Sequence, residues 1–123
     1  LNAQRNATLT ARFSGRRPAR GQVAEVFDSL GLAGLERRLP AQLSGGQQQR
    51  VAVARALLAQ APYIFADEPT GALDDATATT VLSHLRAAAR DGASVVMVTH
   101  SHLAAEAADR IISLEEVAHA GVA

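Results

Sequence analysis

Two short apolar runs constrain this chain more than anything else in it. Tyr63-Ile64-Phe65-Ala66 passes directly into Asp67-Glu68, and Val95-Val96-Met97-Val98 passes directly into Thr99-His100. Each run is short and unbroken by polar residues, which suits a strand buried on both faces of a parallel sheet. Between them, a helix from about Asp75 to Arg90 turns Val81, Leu82 and Leu85 inward and ends at Asp91-Gly92. After a short Ala-rich helix, Ile111-Ile112-Ser113-Leu114 predicts a third strand. Strand, helix, strand, helix, strand is the alternation of an α/β domain with a parallel sheet.

Ligands of open parallel sheets bind outside the carboxyl ends of the strands. Two acids and a histidine therefore arrive at one crevice. An Asp at the end of an apolar strand is how P-loop NTPases hold Mg²⁺. A second carboxylate directly after it is placed to accept a proton from water. Taken alone, Ala66-Asp67-Glu68-Pro69 also suits a strand cap that opens the turn at Pro69-Thr70-Gly71.

Upstream, Val23, Phe27 and Leu30 recur at helical spacing from Arg20 onward, with Val26 beside them, and Gly31 stops that helix. Leu32 to Leu39 predicts a short helical turn ended by Pro40. Ser44 and Gln47 have the spacing of a capping box and open a helix whose apolar face is Val51, Ala54, Leu57 and Leu58. A helix start at Ser44-Gly45-Gly46 offers free amides and the positive end of the helix dipole to an anion such as a phosphate. By itself, the same tripeptide is an ordinary cap. Residues 1 to 19 carry Arg5, Arg12, Arg16 and Arg17 without clear apolar periodicity, and read as a loop or frayed edge ending at Pro18.

Composition closes off other chemistries. The chain has 123 residues, room for one modest domain. Twelve basic residues balance twelve acidic ones, so no face devoted to nucleic-acid phosphates is expected. Cysteine is absent, which excludes disulfides, thiol nucleophiles and Cys-ligated zinc. Every basic residue is Arg; there is no Lys. His84, His102 and His119 have no partner at metal-ligand spacing.

The order of the motifs carries a resemblance. Leu43-Ser44-Gly45-Gly46-Gln47, Arg50, Ala54-Arg55-Ala56-Leu57, Ala66-Asp67-Glu68-Pro69-Thr70, Gly71-Ala72-Leu73-Asp74 and Val98-Thr99-His100 follow one another at suitable spacing. The stretch from about residue 20 to 114 resembles the second half of an ATP-binding-cassette (ABC) ATPase domain, most like the lipoprotein-release and macrolide-export branch. The resemblance implies a partial P-loop NTPase fold with part of the ABC helical subdomain. Residues 1–60 would hold a loop and that subdomain, and 61–123 the core part. Ser44, Gly45, Gly46 and Gln47 match the signature motif, which meets the γ-phosphate held by the opposite subunit. Asp67 matches the Walker B aspartate on Mg²⁺ and Glu68 the catalytic carboxylate. Asp74 matches the D-loop aspartate at the dimer seam, and His100 the switch histidine that reaches the γ-phosphate. The implied cofactors are ATP and Mg²⁺. The implied partners are a second ATPase subunit, head to tail, and a transmembrane permease; the implied location is the cytoplasmic face of the membrane.

A P-loop, G-x-x-x-x-G-K-[ST], does not occur, and a chain without Lys cannot supply one. Gln4 falls past the expected Q-loop position, and Glu115-Glu116-Val117 stands where the family has an acidic-Gly-Arg turn. The chain is therefore expected to be a fragment of an ATPase subunit. Two alternatives stay open: an inactive remnant serving as a docking or dimerisation module, and a soluble, non-transport ABC ATPase. In the ABC fold the P-loop strand separates the strand ending at His100 from that at Ile111–Leu114. Without it, a solvent-facing apolar edge at Val95, Val96 and Val98 is expected, unless the last strand slides across to cover it.

Overall fold

The computed structural model describes residues 1–114. Five helices and two strands follow in the order α1 (Ala3–Phe13), α2 (Arg20–Ser29), α3 (Gly45–Ala59), β1 (Tyr63–Asp67), α4 (Asp75–Arg90), β2 (Ser94–Val98) and α5 (His102–Glu106). The strands pair in parallel, Tyr63 opposite Ser94 through Asp67 opposite Val98, with α4 as the crossover. This is the expected α/β arrangement.

The helix ends follow local chemistry. Gly31, at φ +71°, lets the Leu32 amide bond back to the Phe27 carbonyl and its own amide to Asp28, which closes α2 in a Schellman turn. Gly92, at φ +109°, repeats that geometry after α4, with Ala93 bonding to Ala88 and Gly92 to Ala89. Both glycines stand in the left-handed region, where a Cβ is unfavourable.

Residues 1 to 19 are not a loop throughout. Ala3–Phe13 is helical, capped by the Asn2 carboxamide, which accepts from the Arg5 amide at 2.8 Å. Ala3, Ala7 and Ala11 are buried at four-residue spacing, and α1 packs against α3. The expected helical turn over Leu32–Leu39 is also displaced. That stretch contains only turns, and a 3₁₀ turn begins at Pro40 (Pro40–Gln42), where proline's fixed φ suits a helical start.

One core joins the helices to one face of the sheet. Phe27, Leu30 and Leu32 share it with Val51, Val53, Ala54, Leu58, Ile64, Val81 and Leu85. Val95 and Met97 pack against it from β2. The other sheet face is open: Tyr63 is 76% and Phe65 80% exposed, beside Val96 and Val98 at nearly half. Burial on both faces, expected from the unbroken apolar run of β1, is therefore absent, because the described helices cover one side only.

The third strand is likewise not formed. Ile111, Ile112 and Leu114 are exposed, and Ile111-Ile112-Ser113 pairs with no strand among the described residues. A strand exists through its ladder hydrogen bonds, and β-branched residues without a neighbouring edge do not make one. The outer edge of β2 is consequently unpaired among the described residues. Glu115-Glu116-Val117 and His119 lie outside the described residues.

These exposures yield a paired expectation for residues 1–123 expressed alone. Phe65→Glu and Val96→Lys should raise the soluble fraction and lower binding of a hydrophobic dye, at a stability cost within about 0.5 kcal/mol. Ile64→Ala, from the buried face, should cost about 2–5 kcal/mol in denaturant unfolding. A parent chain that is soluble, dye-silent and strongly protected against hydrogen exchange through residues 94–99 would show that the open face is covered.

Candidate functional site

The parallel register builds the site. Because Asp67 lies opposite Val98, the next residue of each strand, Glu68 and Thr99, emerge side by side. The Glu68 amide donates to the Val98 carbonyl at 2.8 Å, carrying the ladder one residue beyond β1. Glu68 then turns into the left-handed region at φ +47°, a conformation costly for a residue with a Cβ.

That turn aims the Glu68 carboxylate back across the strand ends. Oε2 accepts from the Thr99 hydroxyl at 3.1 Å, and Oε1 accepts from the His100 amide at 2.9 Å. Thr99 Oγ1 in turn accepts from the Ser101 amide at 2.9 Å. The His100 imidazole lies 4.0 Å from Glu68 Oε1 and is fully exposed, so it stands at the rim of the site. Asp67 is exposed on the open sheet face that also carries Phe65.

The second wall comes from the start of α3. The capping box forms: Ser44 Oγ accepts from the Gln47 amide at 3.1 Å, and Gln47 Oε1 accepts from the Ser44 amide at 2.9 Å. The cap leaves the Gly45 and Gly46 amides without an acceptor among the described residues. It also leaves the Ser44 hydroxyl proton free to donate. A Cβ at Gly46 would stand 3.3 Å from the Ala72 carbonyl and the Leu73 side chain, a tight contact that these neighbours would have to relieve by a small shift. Gly45, Gln48, Gln49, Asp67, Glu68, Gly71 and Ala72 line one shallow, open cleft. The helix start, at Gly45, and the two carboxylates therefore line one cleft.

Asp74 stands apart from that cleft as the N-cap of α4, where Oδ1 accepts from the Thr77 amide at 2.7 Å. Hydrogen bonding from Thr77 chiefly, with the Arg50 charge adding to it, holds its carboxyl below the usual value. Arg50 itself bonds the Leu30 carbonyl at 3.0 Å and the Gly46 carbonyl at 3.2 Å, tying the end of α2 to the first turn of α3.

No group of three or more metal-ligating side chains occurs among the described residues. Asp67 fits Mg²⁺ nonetheless as one carboxylate of a site completed by phosphate oxygens and water, the usual manner for this ion. Bound there, the ion would neutralise charge on the phosphates. The chain offers no Lys and no P-loop to grip those phosphates.

Comparison with known proteins shows the family. The sequence model for "ABC transporter" matches residues 2–71. The chain belongs to the ABC transporter family. Curated relatives include the macrolide export ATP-binding/permease protein MacB of Sodalis glossinidius (strain morsitans), 46% identical over 118 residues, 94% of this chain and 18% of that protein. MacB of Pectobacterium atrosepticum is 50% identical over 120 residues, again 94% and 18%. The chain thus spans under a fifth of the length of these relatives. Among solved structures, a dimeric post-hydrolysis state of the ATP-binding cassette MJ0796 with ADP and Pi matches at TM-score 0.77 and 38% identity, over 89% of this chain and 50% of that one. The fold is that of an ABC cassette in part.

Two residues that hold Glu68 carry no role in the motif reading. Thr99 was visible as a strand-end residue, but its bond to Glu68 depends on the register. Gln49 sits within the Gln47–Arg50 stretch with no role attached, because its partners lie 19 and 23 positions away.

Asp74 provides a pH test. A carboxyl with a lowered folded-state value stabilises the fold fully above its ordinary value of 3.8, and loses that contribution as pH falls through the lowered value. Asp74→Asn keeps a capping oxygen but does not titrate. The parent should melt above the variant near neutral pH, and the two should converge in strong acid. A gap independent of pH would leave the Asp74 charge without a role.

Proposed function

We propose that this chain is the signature-to-switch half of an ATP-hydrolysing ABC cassette whose P-loop half is supplied by the rest of a longer protein. The observation that supports it best is the Glu68 carboxylate, held by Thr99 and the His100 amide in a cleft shared with Gly45. In this reading Glu68 accepts a proton from the attacking water, and His100 reaches the γ-phosphate from the rim. Asp67 is the protein's carboxylate on Mg²⁺. Ser44, Gly45, Gly46 and Gln47 face the γ-phosphate bound by a second subunit, and Asp74 lies at the seam between the two. Residues 1–60 form the helical part and 61–123 the core part.

The relatives are export ATP-binding/permease proteins, which favours transport over the docking-module and soluble-ATPase readings. The coupled partner is then a permease, and the cassette sits peripherally at the inner face of the membrane. No helix among the described residues is long and apolar enough to cross a membrane.

Residues 1–123 alone should neither bind ATP tightly nor hydrolyse it, because carboxylates without a P-loop repel a triphosphate. Micromolar affinity for MgATP by calorimetry on a homogeneous sample would refute this. In the complete protein, Glu68→Gln keeps shape and hydrogen-bonding capacity but accepts no proton. Turnover should fall by roughly 10²–10⁴, with ATP still bound and the nucleotide-held dimer longer-lived. Hydrolysis near the parent rate would move the base elsewhere, with His100 the next candidate.

A further inference from the structure

The turn that carries Glu68 has a gap in its own hydrogen bonding. The Gly71 amide donates to the Glu68 carbonyl at 3.1 Å, and the Leu73 amide donates to the Thr70 carbonyl at 3.1 Å. The amide between them, Ala72, has no backbone acceptor among the described residues. It donates instead to Gln49 Oε1 of α3, at 3.3 Å. The other end of the same carboxamide, Gln49 Nε2, donates to the Glu68 carbonyl oxygen. One half-buried side chain thus grips both ends of the turn, four residues apart in sequence. It does so from two positions beyond Gln47, on the helix whose N-terminus forms the opposite wall of the cleft.

A left-handed φ at Glu68 swings both its Cβ and its carbonyl carbon off the extended path of the strand. At +47° the peptide following Glu68 is rotated away from the strand path, and the carboxylate is thereby turned toward Thr99 and the His100 amide. A relaxed, extended Glu68 would point its side chain elsewhere. Gly71 alone gives that carbonyl a local partner, but a local partner turns with the loop. Gln49 is fixed to α3, which is anchored in the core through Val51, Val53, Ala54 and Leu58. A carboxamide is the side chain this position requires, since one end has to donate and the other accept.

We propose that Gln49 is a positioning residue for the reaction, holding the Glu68 backbone in its left-handed turn so that the carboxylate faces the strand ends. The proposal rests on the reading of Glu68 as general base and adds a residue whose two hydrogen bonds go to the backbone of the turn. It makes the direction of the base depend on the seating of the signature helix.

Two variants of the complete protein test it. Gln49→Leu keeps the size and removes both hydrogen bonds. Gln49→Glu keeps an acceptor for Ala72 and loses the donor to Glu68. Both should lower kcat for MgATP hydrolysis by about tenfold or more, with KM within about twofold and only a small shift in Tm. In hydrogen exchange, the His100 amide should lose protection in both variants, and the Ala72 amide in Gln49→Leu alone. Parent-like kcat in both variants overturns the proposal, as does a loss of kcat that merely tracks the loss of folded protein. If the parent itself does not hydrolyse ATP, the enzymatic reading fails separately. Unchanged exchange at Ala72 and His100 in Gln49→Leu would then still refute the positioning role.

Discussion

The parallel pairing of β1 with β2 is the constraint on which the site depends. Shifting it by one residue would send Ile64 to the open face and Phe65 into the core, because side chains alternate along a strand. The observed register puts Ile64 and Ala66 on the helix-covered side with Val95 and Met97. The same register sets Glu68 next to Thr99. The burial of a few apolar side chains therefore decides where the carboxylate is delivered, without any contact between them and the chemistry.

What was legible in the sequence is what local physics determines. The Asp75–Arg90 helix, both of its ends, the Ser44–Gln47 capping box and the Gly31 stop all rest on neighbours within five residues. The two strands were legible because their apolar runs are short and sharply bounded. The first helix was not, since its buried stripe is Ala3, Ala7 and Ala11, with no large apolar side chain to mark a face. Small residues let α1 lie close against α3, but in a chain this rich in alanine the stripe does not stand out. Phe13, the conspicuous residue of that segment, is 84% exposed and would have pointed the wrong way.

The misreadings at the sheet have one shared origin. Tyr63, Phe65, Val96, Val98, Ile111 and Ile112 are apolar enough for a sheet covered on both sides, yet the described residues cover one side only. Apolar pattern records the surroundings a segment is suited to, whether or not they are present. A strand also needs an edge to pair with, and Ile111-Ile112-Ser113 has none among the described residues. On the site, the ordered motifs marked Asp67, Glu68, Ser44 and His100, because they are contiguous in sequence. Gln49 stayed hidden because its partners are reached only after folding.

The two parts of the molecule differ in how much depends on absent surroundings. The left-handed conformation at Glu68 costs about 1–2 kcal/mol. Against it stand bonds to Val98 O, Thr99 Oγ1, the His100 amide, the Gly71 amide and Gln49. Each is worth about 0.5–1.5 kcal/mol net, and somewhat more where the acceptor is the charged carboxylate. At the low end the four bonds other than that to Gln49 sum to about 2 kcal/mol and only match the upper cost, so the turn needs Gln49 as well, and every partner in it belongs to this chain. The open sheet face has no such compensation, and its apolar side chains gain nothing until something covers them. The arrangement around Glu68 is therefore built by residues of this chain, whereas the open sheet face stays uncovered among the described residues.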